Sequence, residues 1–453
     1  MTTEIIQARS RVRSGGGWMA RAESMASGER RPLVFGALVV FAWLYYYRPE
    51  DFIPGLHFIP MAKIAGGIGV IALIGGMMSA SKVKIPGAVK LLWLLLLQMT
   101  ICIPFALWRG GAFATVFEKF YKGVVVAMLI SMAVVTVREL RKLLWIQVSA
   151  VALVTFVSIL ARHHDGEGRL SGVQLGILEN PNDLAINIAI SFPLGVAFML
   201  HARGLKKALW GAGLVFMSLG IVLTYSRSGL LAFIISVAIC VWEYGIKGKR
   251  RSLILASAVT MVLGMGIALS SSHYRARVES IVLGNIQGSG DKGSLEARKA
   301  LLKKSVIIAV THPLFGVGPG CFVLVDKGWV VAHNTYTELA AESGIPALLF
   351  FLLAIAAAFR NIAKVRKSPQ YQDDPEFKLF TQALWAGLVA YLAGACFAST
   401  EYNLYPYFMV AYTCAMVRIT NQPAPSSAPG KKGQRFSKVT YDRIPRPQPI
   451  WSR

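Results

Sequence analysis

The sequence predicts an all-α fold: a polytopic membrane helix bundle of about 12 transmembrane helices, with one large external loop that contains an amphipathic helix. Three observations predict it. The 453 residues are 55% hydrophobic and only 16% charged, with a mean hydropathy of +0.52, a balance that would leave a water-soluble domain with apolar surface it cannot hide. Apolar runs of about 20 residues, enough to cross about 30 Å of hydrocarbon, recur from end to end. Lys and Arg gather at every second junction between those runs, as the positive-inside rule asks of an even number of spans with both termini in the cytoplasm.

In chain order, residues 1–32 form a basic cytoplasmic arm with Arg9, Arg11, Arg13, Arg21, Arg30 and Arg31. The arm has Gly15-Gly16-Gly17 and no apolar core, so it is not a cleavable signal peptide. The transmembrane domain, 33–420, offers spans near 33–47, 61–80, 88–108, 121–137, 142–161, 184–201, 207–225, 228–246, 252–270, 339–359, 378–398 and 403–418. Cytoplasmic junctions carry Lys82, Lys84 and Lys90, then Arg138, Arg141 and Lys142, then Arg203, Lys206 and Lys207. Lys247 to Arg251 and Arg360 to Lys378 continue the series. Residues 421–453, rich in Pro, Ser, Lys and Arg, read as a disordered basic cytoplasmic tail that touches anionic lipid. The aromatic runs Trp43 to Tyr47 and Tyr402 to Tyr407 suit belts at the membrane surface.

A net charge of +25 invites nucleic acid as a partner, but its distribution is topological, and no nucleic-acid role is expected. Five cysteines are too few and too scattered for a disulfide framework or a zinc site. Cys102, Cys240, Cys396 and Cys414 fall in spans, where they pack as small hydrophobes. Cys321 falls in an external loop.

With this topology three polar features face away from the cytoplasm. The first runs from Arg162-His163-His164-Asp165 through Arg169 to Asn180-Pro181-Asn182-Asp183. The second is Tyr225-Ser226-Arg227-Ser228-Gly229, a tight connection with a guanidinium at the mouth of two helices. The third is the long loop 271–334. Its middle, Ser294 to Val310, interleaves Leu295, Leu301, Leu302, Val306 and Ile308 with Arg298, Lys299, Lys303 and Lys304, which suits a helix lying on the membrane surface. The glycines Gly316, Gly318 and Gly320 then break regular structure. The loop ends at His333-Asn334, followed by Glu338 and Glu342, four apart and so on one helical face.

An arginine cluster beside lipid suits a lipid-linked pyrophosphate, because guanidinium stays charged and pairs with phosphate in bidentate fashion. His333 is the candidate base, with an imidazole that ordinarily titrates near neutrality. Glu338 or Glu342 is expected to hold that imidazole in one orientation. The cluster Gly316 to Gly320 is no nucleotide cradle, and His163-His164 lacks a third metal ligand.

At these residues the chain resembles the O-antigen ligase and polymerase superfamily of bacterial membrane glycosyltransferases. The resemblance covers roughly 30–420 in layout and is sharpest from Arg298 to Gly344. It rests on His333-Asn334 followed by nine residues and Gly344, on the turn Pro313 to Gly320, on Asn180-Pro181-Asn182-Asp183-Leu184-Ala185, and on Thr224 to Gly229. One departure is Lys303-Lys304, where the family often carries an aromatic.

The resemblance implies an O-antigen ligase-like enzyme of the cytoplasmic (inner) membrane, metal-independent and without cofactor, working on the external face. The donor would be a polyprenyl-pyrophosphate-linked glycan, undecaprenyl pyrophosphate being the usual carrier. The acceptor would be lipid A core of lipopolysaccharide, a growing glycan or a protein. His333 matches the catalytic histidine; Arg227, Arg298 and Arg169 match donor pyrophosphate-binding positions; Asn334, Glu338 and Asn182 support them. Repeat-unit polymerisation and protein O-glycosylation are alternatives within the superfamily. A lipid-glycan transporter or flippase is the rival of another class. A transporter would show related halves and charges at mid-membrane, whereas here the polar groups cluster toward one face.

Overall fold

Backbone buried in hydrocarbon must satisfy its own N–H and C=O groups, which leaves helices and closed barrels as the spanning structures. The computed structural model describes residues 32–48, 64–71, 85–166, 168–173, 178–250, 289–325 and 330–421, and among them every regular element is a helix. In order these are α1 (Pro32–Tyr47), α2 (64–71), α3 (Gly87–Cys102, running into a 3-10 turn Ile103–Phe105), α4 (Arg109–Ala114), a π turn (Thr115–Phe120), α5 (Tyr121–Ala133), α6 (Val137–Leu160), α7 (Pro181–His201), α8 (Leu205–Leu223), α9 (Arg227–Cys240, with a π segment Val241–Ile246), α10 (Ser289–Thr311), α11 (Phe322–Val325), α12 (Thr335–Arg366), α13 (Pro369–Asp373), α14 (Pro375–Ala395) and α15 (Tyr405–Thr420). The expected N-terminal arm before Pro32, the C-terminal tail beyond Asn421, the span 252–270 and the front of the long loop to 288 lie outside the described residues, as does most of the span 61–80.

Among the described residues six helical stretches are long and apolar enough to cross a membrane: Gly87–Phe105, Val137–Leu160, Pro181–His201, Leu205–Leu223, Arg227–Ile246 and Thr335–Arg366. Their outer faces expose Trp93, Leu97, Leu153, Val215, Ile234 and Leu352, the apolar surface that lipid covers. The expected span 121–137 is instead the end of a broken stretch of α4, π turn and α5. The span 403–418 is the 16-residue α15, buried along most of its length. Tyr405 and Tyr407 are therefore core residues, not a surface belt, and Tyr45 and Tyr46 pack edge-on against Phe408 while Trp43 stays exposed. Cys321 lies in the loop before α11, as expected, and is buried there, whereas Cys396, at the end of α14, is exposed instead of packed as a small hydrophobe.

Polar groups separate to the helix ends. At one end Glu243 meets Lys247 (3.2 Å), Arg366 (3.6 Å) and Gln382 (3.0 Å), and Arg141 meets Glu376 (3.1 Å). The opposite ends of the same helices carry the motif residues.

The longest helix, α12, breaks at Gly344 (φ 80°, ψ 167°). A break inside a membrane helix leaves carbonyls that need other partners. Here Val317 N–H donates to Ala341 O (2.9 Å), Gly318 N–H to Glu342 O (2.8 Å), and Gln98 Nε2 to Ser343 O (3.1 Å) and Leu314 O (2.7 Å). Ile345 N–H returns to Pro313 O (2.7 Å). Pro346 then opens the second half-helix, where its missing N–H costs nothing. A Cβ on Gly344 would overlap Leu314 O, and one on Gly316 would overlap Ala341 O. The glycine-rich turn is thus a lid docked on the break. Gly344→Ala should destabilise the protein by at least about 1–3 kcal/mol from the left-handed backbone alone, read as a lower unfolding midpoint in detergent; an unchanged midpoint would contradict this packing.

Candidate functional site

The signature segments share a local logic, which is helix capping. Asn180 accepts from Asn182 N–H (2.8 Å) to start α7, Ser226 from Gly229 N–H (3.2 Å) to start α9, and Asn334 from Tyr336 and Thr337 N–H (3.1 and 3.0 Å) to start α12. Short polar side chains at these positions satisfy amides that a helix start leaves unpaired. The three starts lie at one end of the bundle. Ser226 Oγ donates to Asn182 Oδ1 (2.8 Å), and Asn403 Nδ2 donates to Asp183 Oδ1 (3.0 Å). The same α14–α15 loop reaches α12, where Thr335 N–H donates to Ala398 O (2.9 Å) and Asn334 Nδ2 to Cys396 O (2.9 Å). Three positive helix ends facing one region favour an anion there.

His333 immediately precedes the α12 cap, half-buried and with φ 55°. The left-handed region costs a non-glycine residue about 1–3 kcal/mol and persists only where its surroundings enforce it. Burial, then the Arg298 guanidinium, then that of Arg169, push its pKa down from 6.5 to about 4. The imidazole is therefore neutral at physiological pH, in a field of positive charge. Both arginines come from elsewhere in the chain. Arg169 is held by Asp165, which accepts its Nε–H (2.8 Å) and its backbone N–H (2.9 Å). The Arg169 loop is fastened to the bundle by Leu170 N–H donating to Leu223 O (2.9 Å). Arg298 lies on α10.

α10 is more than a surface helix. Leu301, Ser305 and Ile308 are buried, and Ser305 Oγ donates to Thr337 Oγ1 (2.8 Å) on α12. Leu301 and Ile308 share a small apolar core with Ala106, Val317, Phe322 and Ala341. Leu302 and Val306, expected on the apolar side, are exposed together with Ile307 and Val310. The helix thus clamps the first half of α12 with one face and offers a second apolar strip outward.

Glu338 and Glu342 do not hold the imidazole. Glu338 Oε2 accepts from Ala332 N–H (2.9 Å) and from the Ser399 hydroxyl. Glu342 accepts from Gly320 and Phe322 N–H (both 2.8 Å) and from the Tyr402 hydroxyl. Both carboxylates, buried in α12, fasten the loop before His333 by its backbone amides. His163 Nδ1 pairs with the Ser171 hydroxyl (2.9 Å). Among the described residues no group of three or more His, Cys, Asp or Glu side chains is arranged to hold a metal ion.

The structure thus gathers His333, Arg298 and Arg169, with Asn334 and Glu338 shaping the turn. Arg227 is the first residue of α9, and the Ser226 cap just before it bonds Asn182 at the same end of the bundle. Sequence reasoning missed Asp165, whose spacing of four from Arg169 was the available signal, and Ser399, for which no local signal exists.

Residues 212–352 match a protein-family model described as O-Antigen ligase. The matched stretch contains Arg227, Arg298, His333, Asn334, Glu338 and Gly344, whereas Arg169 and Asn182 precede it. Over 278 residues, 56% of this chain, the sequence is 24% identical to the exopolysaccharide production protein ExoQ of Rhizobium meliloti (strain 1021). The match spans 61% of that relative's length.

Proposed function

We propose, from the O-antigen ligase/polymerase superfamily that these two similarities support, that the protein is a membrane glycosyltransferase moving a glycan from a polyprenyl-pyrophosphate carrier to an acceptor hydroxyl. The observation that carries the reading is the neutral His333 under the charges of Arg298 and Arg169, at the end of the bundle where α7, α9 and α12 begin. The acceptor oxygen attacks the anomeric carbon, the bond to the carrier phosphate breaks, and its electron pair leaves on the pyrophosphate. Arg298, Arg169 and Arg227 stabilise that growing negative charge, and the acceptor's proton passes to His333. No metal is needed, because guanidinium supplies the charge. The site faces the outside of the cytoplasmic membrane, where nucleotide sugars are absent and a lipid must carry the donor, with both chain termini inside.

Three acceptors compete: lipid A core in ligation, a growing glycan in polymerisation, or a protein hydroxyl in O-glycosylation. The name of the Rhizobium relative, an exopolysaccharide production protein, favours the second. Deleting the gene should deplete surface polysaccharide and accumulate carrier-linked glycan; an unchanged carrier pool would contradict the reading.

A pH dependence follows. Folding lowers the His333 pKa from 6.5 to about 4, so between those values the unfolded chain binds a proton the folded one refuses. The stability that His333 contributes is present above pH 6.5 and is lost as pH falls toward about 4. In activity, the acid limb of kcat/KM, which reports free enzyme, should lie near 4. A bound pyrophosphate offsets the arginine charge, so the acid limb of kcat should lie higher. Coincident limbs, both near the ordinary imidazole value, would show that the arginines do not act on His333.

A further inference from the structure

We infer that Ser399 is a positioning residue for His333: with Glu338 it holds the His333 backbone in the left-handed turn that keeps the imidazole beside Arg298 and Arg169. The inference rests on the reading of His333 as the proton acceptor. Ser399 Oγ accepts the His333 N–H (3.1 Å) and gives its own proton to Glu338 Oε2. The same Oε2 accepts the Ala332 N–H (2.9 Å). A hydroxyl has one proton, so donation to the carboxylate turns its lone pairs toward the amide. Glu338 therefore sets the direction in which Ser399 accepts. Two successive amides, Ala332 and His333, converge on this one pair, an arrangement that a left-handed residue makes possible. His333 is that residue, at φ 55°.

The contact acts on His333 and not on the joint around it. Thr335 N–H to Ala398 O, Thr400 N–H to Thr335 Oγ1 and Asn334 Nδ2 to Cys396 O, each 2.9 Å, fasten the α14–α15 loop to the start of α12 without the Ser399 side chain. Losing the Ser399 hydroxyl should leave the helices in place and release the turn. The ring then gains water and distance from the guanidiniums.

The test compares full-length wild type, Ser399→Ala and Ser399→Thr in two measurements. One is glycan transfer from a polyprenyl-pyrophosphate donor. The other, which needs no substrate, follows deuterium exchange at the imidazole C2 of the His333 peptide by mass spectrometry from acid to neutral pH. Ser399→Ala should lower kcat by about ten- to a hundredfold with donor KM unchanged, the cost of a misplaced reacting group. Its His333 midpoint should rise from about 4 toward 6.5. Ser399→Thr, which keeps the hydroxyl, should restore both. An unmoved midpoint in Ser399→Ala overturns the inference whatever the rate does. If wild type transfers no glycan, the functional reading fails, and the midpoint alone decides whether Ser399 holds His333.

Discussion

His333→Ala is expected to slow glycan transfer by about 10²–10⁴-fold, the usual worth of a positioned general base, while donor binding stays near wild type. The split follows from where the histidine sits. On the proposed reading the donor's charge is met by Arg298, Arg169 and Arg227, and the helix starts of α7, α9 and α12 are built by Asn180, Ser226 and Asn334. None of these groups depends on the imidazole. The fold should also persist, because the turn is held through backbone: Ala332 N–H on Glu338, His333 N–H on Ser399, Thr335 N–H on Ala398 O. Alanine in the left-handed conformation is no better placed than histidine, so a small loss of stability is the only structural effect expected. His333→Gln should retain some activity if the ring mainly orients the acceptor through a hydrogen bond. Turnover of His333→Ala at the wild-type rate would remove the histidine from the mechanism even with the family assignment intact.

Arg298→Ala should cost about 10²–10³-fold in transfer, the range found when one preorganised donor to a developing negative charge is removed. Arg227→Ala should be similar. Lysine at either position should rescue poorly, because an ammonium does not reproduce the planar bidentate fork. Arg298 offers a second readout that separates binding from packing. Its guanidinium helps depress His333, so Arg298→Ala should raise the His333 midpoint, whereas a mere anchor residue would leave it unmoved. α10 itself should stay docked, since Leu301, Ser305 and Ile308 hold it to α12. Unchanged transfer in both alanine variants would make these arginines boundary anchors.

The helices were legible because composition alone demands them, and the motif residues because short polar groups before apolar runs read as caps. His333, Arg298 and Arg169 were found from residue type and resemblance, and the structure brings them together. Other features were hidden for physical reasons. Ser399 is 61 residues from Glu338 in sequence, and no local pattern pairs them. The roles of Glu338 and Glu342 were misjudged because a carboxylate near a histidine suggests an imidazole partner, whereas the unpaired amides of an irregular loop are the more pressing demand on a buried acceptor. The glycines 316, 318 and 320 read only as breakers of regular structure; Gly316 lets the turn's backbone touch α12 beside the break at Gly344, while Gly318 and Gly320 pack against Ala106 and Thr115. Tyr405 and Tyr407 looked like an interfacial belt because the sequence places them at a span's end, but both are buried, and Tyr407 packs edge-on against Phe120 and against Phe351 of α12.

The central claim is that this bundle performs chemistry on a lipid-linked glycan. Its most direct test is reconstitution of the full chain in liposomes with a glycan-labelled polyprenyl-pyrophosphate donor and a glycan acceptor. The account predicts label leaving the lipid for the acceptor, one carrier pyrophosphate released per transfer, and loss of both in His333→Ala. Label that crosses the bilayer with its bond to the carrier intact would contradict it and identify a transporter.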